Sequence, residues 1–180
     1  MLVFDPMGQG ERLNYYNPRT GACDVGGSID EHSYNGNRCW ISGIPISNFF
    51  LSDAKTALDY LCSREDVDKD RIGMTGNSGG GTQTAMIMLS RDDRIKAFAP
   101  ATYISSMEEM IKTFQPQDDE QNFYNFMSYG FDYDDIILSV APKPVAILAV
   151  SQDFFPVDGA VETYLKAKKV YKKLKKPENI

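Results

Sequence analysis

Histidine is scarce in this sequence: His32 is the only one among 180 residues. One imidazole cannot build a zinc site with the three cysteines, because Cys23, Cys39 and Cys62 show no CxxC or comparable ligand spacing. The sequence therefore implies no metal, and we expect buried thiols, with a Cys23–Cys39 disulfide as the alternative in an oxidising compartment. Any site on this chain that needs an imidazole has His32 alone to supply it.

Long apolar runs are also missing. No stretch approaches the roughly 18 apolar residues of a membrane-spanning helix, and the first residues, MLVFDPMGQGER, lack the layout of a signal peptide. Two nucleotide-binding fingerprints are absent as well, since no Gly-Lys-Ser/Thr follows a glycine-rich loop and G-x-G-x-x-G does not occur. We therefore predict no membrane partner and no organic cofactor.

Positive charge is concentrated in one segment. The net charge is −6, but residues 160–180 hold seven lysines against two glutamates, which is +5 and leaves −11 for residues 1–159. Such an acidic remainder repels phosphate backbones, so we predict no nucleic-acid partner. Within the segment, apolar residues recur at spacings of three and four, which predicts an amphipathic helix with a lysine-rich solvent face. These residues are Val161, Tyr164, Ala167, Tyr171 and Leu174.

Short β-branched and aromatic runs alternate with helical patterns along the chain. We expect strands at 2–5, 71–75, 95–102 and 144–150, and helices at 47–63, at 82–90 and after Gly159. The run 144–150 is apolar throughout, which is typical of a parallel strand buried on both faces. Four alternations of strand and helix predict an α/β fold, a parallel sheet with helices on both faces, in a single domain over residues 1–180.

Two stretches carry weaker patterns. Residues 6–46 are rich in glycine, asparagine, serine and tyrosine and show no clear period, so we expect a long loop there. Residues 103–139 are expected to mix helical segments, with a break at 115–121.

The motif G-x-S-x-G occurs once, at Gly76–Gly80, between a predicted strand and a predicted helix. A tight turn at this point lifts the serine hydroxyl above the carboxyl edge of the sheet, and glycine lets the flanking chain pass close by. The backbone amide of Gly79 would then face the oxygen that becomes negative during attack on a carbonyl. We interpret Ser78 as a nucleophile; the alternative is a glycine-rich turn that only joins strand to helix.

A nucleophilic serine needs a base and an acid that orients the base. Asp153 follows the strand 144–150, at the edge where such sheets carry their ligand-facing groups. Asp158 is the competing acid, and we interpret it instead as the N-cap of the last helix. Asp153 is therefore the preferred acid.

Several segments together resemble one family. They are DPMGQGER, the stretch from EHSYNGNRCWISGIP to the DYL of the first predicted helix, DRIGMTGNSGGGTQT, IKAFAPATY and APKPVAILAVSQDFFPVDG. The chain is similar, over nearly its whole length, to the acetyl xylan esterase-like branch of the α/β-hydrolase superfamily, whose members are serine esterases. The GNSGG and DFFP segments are the specific matches.

The resemblance implies roles for individual residues. Ser78 is the nucleophile, Gly79 an oxyanion donor and Asp153 the triad acid, with no cofactor. The catalytic histidine of this family follows a final strand, which is expected beyond Ile180. His32 is a weaker candidate for the base than for lining a pocket or anchoring a loop. Tyr103 and Phe154 are candidate pocket walls, with ordinary core packing as an equal alternative.

The resemblance also implies that the chain is a fragment. It is expected to lack the first three strands of the family and the histidine segment, so it covers a partial α/β-hydrolase fold. The missing third strand would leave a gap beside residues 2–5. Either self-association fills this gap or the strand closes against 71–75.

The implied function is a serine carboxylic-ester hydrolase that acts on a small-molecule or polysaccharide ester, as a carbohydrate deacetylase, with the fragment itself inactive or nearly so. Such enzymes would be periplasmic or secreted. Two alternatives stay open: a serine peptidase of the prolyl-oligopeptidase type, and a binding module with this fold in which Ser78 is idle.

Overall fold

A computed structural model describes residues 1–115 and 117–180. The chain forms two compact units. We call Met1–Arg64 with Gln117–Tyr124 unit 1, and Glu65–Pro116 with Asn125–Ile180 unit 2. Within the described residues, no helix is both long and apolar enough to cross a membrane.

Unit 1 is mainly helical. A short antiparallel hairpin pairs β1 (Tyr16–Asn17) with β2 (Ala22–Cys23), and the helices are α1 (Ile29–Ser42) and α2 (Ser47–Ser63). Single 3₁₀ turns occur at Gly10–Arg12 and Asp119–Gln121. The prediction of α2 is confirmed, and its stripe of Phe50, Ala54 and Leu58 is buried as its helical spacing requires.

The helix α1 replaces much of the long loop expected at residues 6–46, so that expectation was wrong. The positions that α1 buries are Glu31, His32 and Gly36, which give no apolar period for a sequence pattern to detect. Its end does follow a known rule, because Gly43 adopts a left-handed conformation, with φ of 80°, and its amide bonds the last turn.

Residues 2–5 do not form the predicted strand. Leu2 and Phe4 are half-buried while Val3 and Asp5 are exposed, as expected of an extended segment. Among the described residues, however, no strand pairs with this segment. A strand is defined by its partner, so an extended run alone does not become one.

Unit 2 is built on two parallel strands, β3 (Ile72–Asn77) and β4 (Ile95–Ala101), joined by α3 (Gly79–Ser90). Its other helices are α4 (Met107–Lys112), α5 (Tyr133–Leu138) and α6 (Val157–Lys173), with 3₁₀ turns at Lys69–Arg71 and Pro177–Asn179. The strands are in register with Thr75 beside Ala99 and Asn77 beside Ala101. These elements confirm the predicted strands and helices, and the expected break lies between α4 and α5, with its residue 116 outside the described residues.

The helix α6 is amphipathic, as the lysine pattern predicts, but its buried stripe differs from the expected one. Ala160, Thr163, Ala167 and Tyr171 are buried, whereas Val161 and Leu174 are about half exposed. The two stripes share Ala167 and Tyr171. They differ in the first turns, where Ala160 and Thr163 are buried in place of Val161 and Tyr164, and at Leu174, which follows the last residue of the helix.

Residues 144–148 run parallel to β4. The amide of Phe98 donates to the carbonyl of Pro144, Ala146 donates back to Phe98, and Leu148 donates to Pro100, at 2.9, 2.9 and 3.1 Å. A regular parallel ladder needs one more donor at residue 100, and proline has no N–H to give. The pairing of this predicted strand is confirmed, but its burial on both faces was wrong: Ala146 and residues 148–150 are exposed.

Candidate functional site

Ser78 occupies the turn between β3 and α3. Its backbone has φ of 54° and ψ of −114°, a combination that L-residues rarely adopt. The turn is held by its neighbours: the Ser78 amide donates to the carbonyl of Ala101, at 3.0 Å, and the Thr82 amide donates to the carbonyl of Ser78, at 2.9 Å. The residue is exposed at the carboxyl end of β3, where its hydroxyl is open to a ligand.

Two of the glycines around Ser78 are required by close packing. A Cβ on Gly76 would lie 2.5 Å from the backbone carbon and oxygen of Gly80, and one on Gly81 would lie 2.4 Å from the carbonyl oxygen of Ala101. In contrast, a Cβ on Gly79 or Gly80 would meet nothing within 4 Å. The close chain approach predicted for this motif is therefore present at Gly76, and the motif is a sharp turn with the serine at its apex.

Gly79 is the first residue of α3, so its amide has no partner within the helix. This amide follows Ser78 directly and carries part of the positive end of the helix dipole. An N–H in this position can donate to a negative oxygen on a group bound at Ser78.

Asp153 lies in the loop that follows residues 144–148. Since that segment and β3 both run parallel to β4, Ser78 and Asp153 leave the sheet at the same edge. Asp153 is exposed, and its Oδ1 accepts a hydrogen bond from the amide of Phe154, at 2.7 Å. Its second carboxylate oxygen remains available to orient a base.

Asp158 is not the N-cap of the last helix, as we had interpreted it. The helix α6 begins at Val157 with Pro156 in the N-cap position, which places Asp158 in the first turn. A carboxylate there still favours the helix, because it faces the positive end of the dipole.

The two candidate pocket walls, Tyr103 and Phe154, differ in exposure to solvent. Tyr103 is 1% exposed, and its ring meets those of Tyr133 and Phe155 edge to face, at 5.4 and 5.3 Å between centroids. Tyr103 therefore belongs to the core of unit 2 and does not line an open pocket. Phe154 is 40% exposed beside Asp153, so it remains a candidate pocket wall.

His32 lies in unit 1, on α1, and is buried with only 3% exposure. Its Nε2 donates to the carbonyl oxygen of Met7, at 2.7 Å, and its Nδ1 lies 3.1 Å from a carboxylate oxygen of Glu120. The second contact is an ion pair and not an aligned hydrogen bond. Both ring nitrogens face acceptors, so the ring carries no free lone pair for a substrate proton. The geometry favours the loop-anchoring role over that of a base.

The surroundings of His32 favour its charged form. Burial opposes the charge and lowers the pKa, but the Glu120 carboxylate and the Met7 carbonyl outweigh this effect, and the pKa of His32 is raised above its ordinary value. For the carboxyls of Asp118 and Asp119, burial also opposes the charged form and therefore raises the pKa, and the Glu120 charge adds to the effect. Sequence reasoning missed Glu120, since no local pattern signals a partner 88 positions away.

Thr102 was also missed. It directly follows β4, and its hydroxyl bonds both sides of the turn that carries Ser78: it accepts from the Ser78 amide and donates to the side chain of Asn77. The only signal in the sequence is its place at the end of a strand beside the G-x-S-x-G motif.

The chain is similar to known hydrolases in sequence and in fold. Residues 50–136 match the model of the prolyl oligopeptidase family. The Bacillus subtilis protein YtaP, which carries a provisional hydrolase name, is 31% identical over 123 residues. That alignment covers 66% of this chain and 40% of YtaP.

Solved structures extend the similarity to almost the entire chain. A structure described provisionally as an acetyl xylan esterase, from Bacteroides fragilis, superposes with a TM-score of 0.73 and 16% identity over 97% of this chain and 44% of its own. A glucuronoyl esterase from Sporotrichum thermophile gives a TM-score of 0.58 and 15% identity, over 97% and 48%. The chain thus spans less than half of each of these relatives. The resemblance to the α/β-hydrolase superfamily is confirmed, and the fold is a partial α/β-hydrolase fold.

Proposed function

We propose that the protein containing this chain is a serine carboxylic-ester hydrolase that removes acyl groups from carbohydrate. The observation that carries the proposal is the backbone of Ser78, held at φ of 54° in a glycine-flanked turn between a parallel strand and a helix. Strained backbone of this kind is typical of functional sites, where it presents one side chain to a ligand.

The residues take three roles in the reaction. The hydroxyl oxygen of Ser78 attacks the ester carbonyl carbon, and the amide of Gly79 stabilises the oxyanion that forms. The base takes the proton of the Ser78 hydroxyl and returns it to the alcohol, which leaves the acyl group bound to the serine oxygen. The base then takes a proton from water, the water oxygen attacks the acyl carbon, and the acid leaves as the proton returns to Ser78. Asp153 orients the base through its free carboxylate oxygen.

The base is proposed to be a histidine outside these 180 residues. Ser78 cannot be activated without one, and the ring of His32, the chain's own histidine, is engaged at both nitrogens. The isolated 180-residue chain is therefore expected to hydrolyse esters far more slowly than the full-length protein.

A carbohydrate ester as substrate is supported by the structural relatives, which are described as acetyl xylan and glucuronoyl esterases. The exposed aromatic ring of Phe154, beside Asp153, is suited to contact a sugar or an acyl group. No metal or organic cofactor takes part in the proposed reaction.

A substrate panel with the full-length protein tests the proposal. We expect hydrolysis of p-nitrophenyl acetate and release of acetate from acetylated xylan, both abolished by Ser78→Ala. Ester hydrolysis that persists in the Ser78→Ala variant would reject the assignment of the nucleophile. Activity on p-nitrophenyl acetate but not on acetylated xylan would reject the substrate alone.

The second candidate is a serine peptidase, which the family match over residues 50–136 favours. It uses the same turn, nucleophile and oxyanion donor, so only the leaving group differs. A peptidyl-p-nitroanilide, assayed beside p-nitrophenyl acetate at equal concentration, separates the two. Faster cleavage of the anilide would establish the peptidase. If neither substrate is hydrolysed, the remaining alternative is a non-catalytic binding module.

A further inference from the structure

Thr102 has a backbone conformation that its side chain disfavours. It directly follows β4 and has a φ of +49°, in the left-handed region. A β-branched residue is rarely found there, because its Cβ substituents crowd the backbone. The neighbouring residue across the strand pair, Ser78, also has a positive φ, of 54°. Two strained residues thus lie side by side at the carboxyl edge of the sheet.

The hydroxyl of Thr102 connects directly to the nucleophile turn. Its Oγ1 accepts a hydrogen bond from the Ser78 amide, at 2.9 Å, and donates one to Oδ1 of Asn77, at 2.7 Å. Asn77 and Ser78 are the two residues at which the chain reverses, so one hydroxyl fixes both. The Ser78 amide also bonds the carbonyl of Ala101, which makes the junction three-centred.

The backbone of Thr102 connects to the opposite side of the site. Its amide donates to the carbonyl of Leu148, at 2.8 Å, in the segment that leads to the loop of Asp153. Within unit 2, Thr102 therefore bonds the turn of the serine with its side chain and the segment before the acid with its main chain. A rotation of Thr102 would change the placement of Ser78 relative to Asp153.

We propose that Thr102 is a positioning residue, whose hydroxyl holds Ser78 in the orientation required for attack. This inference rests on the proposed function, since it assigns to Thr102 the geometry of that nucleophile. The left-handed backbone of Thr102 is what aims its hydroxyl at the neighbouring strand end. Strain at a strand end is expected where the side chain that it aims serves the site.

Three variants of the full-length protein test the role. Thr102→Val keeps the β-branched shape and the backbone preference but removes the hydroxyl, and Thr102→Ser keeps the hydroxyl. Thr75→Val is the matched control, because the Thr75 hydroxyl donates to the carbonyl of Ala99 in the same sheet, at 2.7 Å, and bonds no residue of the turn.

For hydrolysis of p-nitrophenyl acetate, we expect Thr102→Val to lower kcat by about 10-fold or more with KM little changed, because a misplaced nucleophile loses rate rather than binding. Thr102→Ser and Thr75→Val should stay within about 3-fold of the wild type. Equal kcat in Thr102→Val and the wild type would overturn the proposal, and so would equal losses in Thr102→Val and Thr102→Ser.

A second measurement keeps the inference independent of the activity. In the 180-residue chain, the amide of Ser78 should exchange its hydrogen several-fold faster in Thr102→Val than in the wild type or in Thr75→Val. If the wild-type protein hydrolyses no ester, the proposed function fails, while this exchange rate still reports whether Thr102 holds the turn. Unchanged exchange at Ser78 would refute the positioning role in either case.

Discussion

The helix α3 of unit 2 and the helix α1 of unit 1 bury different kinds of side chain. In unit 2, α3 buries a continuous apolar run, Ala85–Met88, each residue at 2% exposure or less. In unit 1, α1 buries Glu31 and His32 instead, at 0% and 3%. Glu31 accepts hydrogen bonds from the amide and side chain of Asn14 and from the thiol of Cys23. Both units also bury apolar side chains, but among the described residues the buried charged ones, Glu31, His32 and Glu120, all lie in unit 1.

This contrast separates two kinds of sensitivity to change. An apolar interior loses stability in proportion to the volume removed or added, whereas a buried charge loses stability when its one partner is removed. We therefore expect that, in unit 1, substituting both partners of the ion pair restores stability that a single substitution loses. In unit 2, the effect of a substitution should follow from the volume that it adds or removes.

The largest effect is expected in unit 1, at the ion pair of His32 and Glu120. The change His32→Leu leaves the Glu120 carboxylate buried and unpaired, which should lower the free energy of unfolding by about 4 kcal/mol. Adding Glu120→Leu should restore part of this loss, because two apolar residues need no partner. Trp40, the chain's one tryptophan, lies on α1, so its fluorescence during urea denaturation reports on unit 1.

The double variant is the control that decides this prediction. If His32→Leu with Glu120→Leu is no more stable than His32→Leu alone, the loss comes from packing, and the buried charge is not the cause.

The next effect is steric and lies in unit 2. A Cβ at Gly76 overlaps the backbone of Gly80, so Gly76→Ala should lower the free energy of unfolding by about 3 kcal/mol. Gly80→Ala is the matched control, since its Cβ meets no atom within 4 Å and lies in a helix, where alanine stabilises by up to about 1 kcal/mol. Thermal unfolding followed by far-ultraviolet circular dichroism measures both. Similar midpoints for the two variants would show that the turn at Ser78 is not tightly packed.

The smallest effect is a pH dependence confined to unit 1. The pKa of His32 is raised in the folded state, so its contribution to stability is complete below the ordinary pKa of about 6.5 and is lost as the pH rises through the raised value. The urea midpoint of Trp40 fluorescence should fall over this range in the wild type and not in the His32→Leu, Glu120→Leu variant. Because His32 is the chain's only histidine, its imidazole proton resonance is assigned without ambiguity. A titration midpoint at or below 6.5 would contradict the charged pair.

The sequence predicted unit 2 better than unit 1, and the reason is physical. The pattern of α3 and of its flanking strands is apolar, and the placement of Ser78 between strand and helix follows from G-x-S-x-G at that boundary. The helix α1 could not be predicted, because its buried residues are polar and their partners, such as Glu120, are distant in sequence. A period of apolar residues identifies only helices that bury apolar residues.

Strand pairing was the second feature that the sequence could not predict. Residues 2–5 have the composition of a strand but no partner among the described residues, and 144–148 pair with β4 through a ladder interrupted at Pro100. Both outcomes depend on neighbours that local propensity does not specify. The role of Thr102 was hidden for the same reason, since it arises from a φ of +49° and a contact across two strands.

The central claim is that Ser78 is a nucleophile, and covalent labelling tests it most directly. The full-length protein would be treated with a fluorophosphonate probe at neutral pH, and the modified peptide identified by mass spectrometry. We predict a single adduct on Ser78, absent from the Ser78→Ala variant and from protein unfolded before labelling. An unlabelled wild-type protein, or an adduct at another residue that persists in Ser78→Ala, would contradict the account.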